Sequence, residues 1–81
     1  MAYEIEFSSQ SKRFLKKLQK DIALRILDKF EDLKKEPFRY LEHYEGDTCH
    51  KFRIGEYRAL IDVKQNILFV RIIDKRERIY N

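Results

Sequence analysis

The stretch Lys51-Phe52-Arg53-Ile54-Gly55-Glu56-Tyr57-Arg58-Ala59-Leu60-Ile61-Asp62-Val63-Lys64 decides how this chain folds. Phe52 and Ile54 alternate with Lys51 and Arg53, and beyond Gly55-Glu56 the residues Tyr57, Ala59, Ile61 and Val63 alternate with Arg58, Leu60, Asp62 and Lys64. Successive side chains of a strand point to opposite faces, so this period of two marks strands with one buried side. Two such runs joined by a glycine-containing turn predict an antiparallel hairpin. Its polar side gathers Lys51, Arg53 and Arg58.

Downstream, Gln65-Asn66 reads as a second turn, and Ile67 to Asp74 as a further strand. Simple alternation there turns Leu68, Val70 and Ile72 to the hairpin's apolar side and Ile67, Phe69, Arg71 and Ile73 to the other. Upstream, Tyr3, Ile5 and Phe7 alternate with polar residues in a first strand. Ser8 or Ser9 then caps a helix with Phe14, Leu15 and Leu18 on one side and Lys12, Lys16, Lys17 and Lys20 on the other. Asp21 reads as a second N-cap, followed by Ala23, Ile26, Leu27, Phe30 and Leu33 at helical spacing until Pro37 stops the pattern. The expectation is one α+β domain over residues 1–81 in the order β-α-α-β-β-β, its αα-hairpin packed on one face of a mainly antiparallel, four-stranded sheet.

A chain of 81 residues buries only about 60–65% of its unfolded surface, which predicts modest stability. With Cys49 as its single cysteine it forms no internal disulfide, and it shows neither a signal-peptide pattern nor a long apolar run. A cytoplasmic, non-membrane protein is expected. The net charge of +4 is unevenly placed: up to residue 50 ten basic residues balance ten acidic ones, whereas from Lys51 onward eight basic residues face four acidic ones. Such a patch is the electrostatic footprint that a polyanion would feel. The outer sheet face would also carry Leu60, Ile67, Phe69 and Ile73. Either twist and loops cover these, or they belong to a partner surface beside the basic one.

His43, Cys49 and His50 lack the spacing of a metal site, and no cofactor is called for. Ser8, Ser9 and Ser11 sit where helix capping explains them, and Gly46 and Gly55 are too few for a phosphate loop. What remains is a set of cations and a terminal tyrosine, the equipment for cleaving RNA through its own 2′-hydroxyl. That reaction needs a proton acceptor, cations around the transition state, a donor to the leaving oxygen and a platform for the base. Lys51, Arg53 and Arg58 would share one patch, with Arg76, Arg78 and Tyr80 following the last strand. Guanidinium binds phosphate in bidentate fashion, and tyrosine stacks on bases.

The run His50-Lys51-Phe52-Arg53-Ile54-Gly55-Glu56-Tyr57-Arg58 is similar to the R-x-G-x-Y-R signature of the RelE/ParE superfamily of toxins from toxin–antitoxin systems. Lys75-Arg76-Glu77-Arg78-Ile79-Tyr80 is similar to its H-R-x-x-V-Y ending, and the element order matches over essentially the whole chain. The resemblance implies the RelE branch: a metal-independent endoribonuclease that cuts mRNA in the ribosomal A site and is silenced by a RelB-like antitoxin. By position, Lys51 would act at the 2′-hydroxyl as base or cation, Arg53 would bind phosphate, and Arg58 would stabilise the transition state. Arg76 would bind phosphate or assist the leaving 5′-oxygen, and Tyr80 would hold a base. Lys75 stands where many relatives have histidine and, with Arg78, would contact RNA, while Leu60 and Phe69 would face the antitoxin. Two other readings share these features: a ParE-like toxin acting on DNA gyrase, and a non-catalytic RNA-binding module.

Overall fold

The computed structural model describes residues 3–43 and 49–75. Its elements in chain order are β1 (Glu4–Phe7), α1 (Ser9–Lys17), α2 (Lys20–Lys35), α3 (Pro37–Tyr40), β2 (Glu42–His43), β3 (His50–Ile54), β4 (Tyr57–Lys64) and β5 (Ile67–Lys75). The five strands form one sheet in the order β1-β5-β4-β3-β2, with β1 parallel to β5 and the other pairs antiparallel. The α+β class holds. The sheet has five strands rather than four, because residues 42–43 add a short edge to β3.

Both helices lie on one face of this sheet. From α2, Ile26, Phe30 and Leu33 are buried against Phe52, Ile54, Ala59, Ile61, Leu68, Val70 and Ile73. Phe30 sits at the centre, its ring 5.2 Å from those of both Phe7 and Phe52, while Phe14 of α1 meets Tyr57 at 5.8 Å. Leu27, expected on the buried side, is 36% exposed, since the helix curves its apolar stripe toward residues 26, 30 and 33.

The helix ends follow capping chemistry with two adjustments. Ser8 is the N-cap of α1, its Oγ accepting the Ser11 N–H at 3.1 Å. The N-cap of α2 is Gln19, not Asp21, which lies inside the first turn where a carboxylate complements the helix dipole. Pro37 ends α2 as expected, and it also opens α3, since its missing N–H is harmless at a first helical position. Gly55 has φ +60°, the conformation that glycine adopts freely at the head of a tight hairpin turn.

Candidate functional site

The register of β3, β4 and β5 arranges the outer face in rows. Arg53 is directly opposite Arg58, and Arg58 is directly opposite Asp74. One step along, Glu42 faces Lys51, Lys51 faces Leu60, and Leu60 faces Ile72. The hairpin thus brings Lys51, Arg53 and Arg58 onto one side, as the alternation predicts. Arg53 is exposed, whereas Lys51 and Arg58 are half-buried, with the Arg58 Nε shielded from solvent. Two arginines directly opposite repel, and the carboxylate of Asp74 at the end of their row offsets this.

Asp74 reaches that row through an irregularity in β5. The pairing between β4 and β5 shifts between Leu60 and Ile61, so that Ile61 pairs with Val70 while Leu60 pairs with Ile72. Arg71 is the extra residue, a β-bulge that reverses the inside-outside parity of everything after it. Ile73 is consequently fully buried and Ile72 lies outside, which corrects the simple alternation. Lys75, paired with Tyr57, takes the parity of the helix-covered face rather than that of Arg53 and Arg58, and is exposed there.

The start of α1 holds this bulge. Ser8 N–H and Ser11 Oγ donate to the Val70 carbonyl at 3.0 and 3.1 Å, and Ser8 Oγ donates to that of Arg71 at 2.7 Å. The Gln10 amide then exchanges two hydrogen bonds of 3.1 Å with the N–H and C=O of Ile73, replacing the strand partner that β1 ceases to provide after Phe7. Ser11 is fully buried for this purpose, so the serine-rich segment does more than cap a helix. The bulged Arg71 itself pairs with Asp62 across β4, Nε to Oδ2 at 3.6 Å, a structural role.

Leu60 is half-buried on the outer face and Phe69 is 37% exposed. Phe69 lies between Asp62 and Glu6 in the register, so the apolar zone near β1 is flanked by carboxylates while the zone near β3 is cationic. His43 and His50 face one another across β2 and β3 with rings 5.9 Å apart, and Cys49 is buried. Among the described residues, no cluster of three or more His, Cys, Asp or Glu is placed to hold a metal. No helix among them is long and apolar enough to cross a membrane. Arg76, Arg78 and Tyr80 lie outside the described residues.

Glu42 and Asp74 are neighbours of the basic set that sequence reasoning did not single out. A two-residue strand leaves no periodicity to read, and the placement of Asp74 depends on a bulge with no local signature. An antiparallel sheet backed by a helical hairpin, with cations collected on its open face, defines a small single-domain protein of the kind found among bacterial and archaeal toxins. Residues 5–80 match the family described as ParE toxin of type II toxin–antitoxin system, parDE, and the chain belongs to this family.

Solved structures agree on the architecture. A chain of the toxin–antitoxin complex RelBE2 from Mycobacterium tuberculosis is 26% identical with a TM-score of 0.81, the match covering 94% of this chain and 100% of that one. A chain of the archaeal RelE–RelB complex from Pyrococcus horikoshii is 23% identical with a TM-score of 0.76, over 96% and 99% of the two chains. A mutant of the E. coli toxin RelE in the free state is 22% identical with a TM-score of 0.78, over 96% and 87%. No curated protein sequence matches the chain.

Proposed function

We propose that this toxin is a ribosome-dependent endoribonuclease that stops translation by cutting mRNA in the A site. The observation that supports it is the outer-face cluster of Lys51, Arg53 and Arg58, with the two arginines paired across β3 and β4. In the reaction, the 2′-oxygen attacks the adjacent phosphorus as its proton leaves, a 2′,3′-cyclic phosphate forms, and the bond to the 5′-oxygen breaks. Lys51 stands at the 2′-hydroxyl as base or cation. Arg53 binds the phosphate and Arg58 stabilises the charge that accumulates on it, a contribution concentrated in the transition state. Arg76 adds a contact to phosphate or to the departing 5′-oxygen, which takes up a proton. Tyr80 stacks on a base, and Lys75 and Arg78 contribute phosphate contacts.

A RelB-like antitoxin silences the toxin in this reading, since two of the similar structures are RelE–RelB complexes. Leu60 and Phe69 form part of its docking surface. The reaction uses no metal, and the protein works in the cytoplasm beside the ribosome.

A second reading, inhibition of DNA gyrase, draws on the match to ParE toxins. Expression in a translating extract, with mapping of mRNA 5′ ends and a parallel supercoiling assay, separates the two. Codon-phased cuts that disappear with Arg58→Ala support the nuclease. Intact mRNA with blocked supercoiling would refute it.

A further inference from the structure

The N-terminal half is neutral only as an average. From Phe7 to Lys20 it carries Lys12, Arg13, Lys16, Lys17 and Lys20 with no acidic residue. All five are exposed. In α1 the positions of Lys12, Arg13, Lys16 and Lys17 span an arc of about 140° around the helix at 100° per residue, centred opposite Phe14, Leu15 and Leu18. The partners along this arc are Lys12 with Lys16 and Arg13 with Lys17, like charges one turn apart that weaken the helix they sit on.

The rest of the helical layer is built differently. α2 interleaves signs through Asp21, Arg25, Asp28, Lys29, Glu31, Asp32 and Lys34, and pairs Lys34 with Glu31 at 3.6 Å. The first turn of α1 has no acidic residue, although the helix dipole favours one there. Helix-end electrostatics account for Lys16 and Lys17 but not for Lys12 and Arg13. The exposed large apolar residues, Leu24, Leu27, Phe38, Tyr40 and Phe69, all lie elsewhere. A protein interface needs a desolvated apolar centre, whereas phosphate contacts need only cations reaching from a rigid support.

We propose that the solvent face of α1, continued by Lys20, binds the phosphate backbone of double-helical RNA. This is a second polyanion surface, on the opposite side of the sheet from Lys51, Arg53 and Arg58. It rests on the reading of this toxin as acting on RNA, and it adds that the protein sits between two RNA segments, the strand it cuts and a structured RNA that holds it. Backbone contact of this kind is independent of sequence and steeply dependent on salt, and A-form RNA is recognised largely by shape and phosphates.

The test uses the full chain and the variant Lys12→Gln/Arg13→Gln/Lys16→Gln/Lys17→Gln, glutamine being a good helix former. An equal-charge control, Lys29→Gln/Lys34→Gln/Lys35→Gln/Lys64→Gln, removes the same charge elsewhere. Affinities for an RNA duplex of about 20 base pairs and for intact bacterial ribosomes are measured against salt. Loss of four phosphate contacts lowers the slope of log K against log salt by about 3, so a fourfold rise in salt costs the variant about 60-fold less affinity than the wild type. If the quadruple variant does not fold, Lys12→Gln/Lys16→Gln carries the test with half that change in slope. Weakening on both probes points to RNA backbone generally, and weakening on ribosomes alone to ribosomal RNA. Unchanged binding to both overturns the proposal, as does equal weakening in the control. Loss of antitoxin affinity with RNA binding intact would make α1 a protein surface instead. Wild type that binds duplex with a steep salt slope yet never cuts mRNA refutes the nuclease reading and leaves this one standing.

Discussion

Gln10→Ala removes both hydrogen bonds that the side-chain amide exchanges with Ile73. Ile73 is fully buried, so water does not replace the lost partner. An orphaned buried N–H costs about 1–3 kcal/mol, and the carbonyl's lost bond about 1 kcal/mol more. A total of roughly 3 kcal/mol corresponds to a fall in melting temperature of about 12–24 °C for a domain of this size. Thermal unfolding followed by circular dichroism measures the fall, and exchange of the Ile73 amide hydrogen, expected to accelerate strongly, locates it. A fall below about 4 °C with slow Ile73 exchange would refute the view that Gln10 stands in for a strand. Because β5 runs on toward Arg76 and Tyr80, the same variant should also lower mRNA cleavage more than its unfolded fraction accounts for.

Arg53→Ala and Arg58→Ala should each lower the rate of cleavage in a translating extract by about 100- to 1,000-fold, the usual loss for a preorganised charge donor. Melting temperatures near wild type would show that the loss is chemical. Phe69→Ser, at a residue already 37% exposed, should leave stability within about 1 kcal/mol while weakening antitoxin binding in calorimetric titration. Unchanged affinity with retained toxicity would remove Phe69 from the docking surface. Phe30→Ala, at the centre of the core, should cost about 3–5 kcal/mol and leave little folded protein at 37 °C, as read by chemical denaturation. Gly55→Ala meets no atom within 4 Å, so its cost is conformational, about 1–2 kcal/mol, and a larger loss in a thermal melt would point to an unseen clash.

Alternation along residues 51–64 was enough by itself to place Phe52, Ile54, Tyr57, Ala59 and Ile61 inside and to bring Lys51, Arg53 and Arg58 to one outer face. Strand parity is a local property, because each residue's face follows from that of its neighbour. Helical spacing likewise picked out Ile26, Phe30 and Leu33, and the short motifs around Arg58 and Tyr80 pointed to the family. Tertiary structure alone decided what lies beside the cations. The bulge at Arg71 is held by Ser8, Gln10 and Ser11, about 60 residues away in sequence, and it exchanges Ile72 for Ile73 in the core and sets Asp74 beside Arg58. Glu42 meets Lys51 through a strand of two residues, too short to leave a pattern. Both depend on hydrogen bonds between distant segments, and a period read along one segment carries no trace of a partner that lies across the fold.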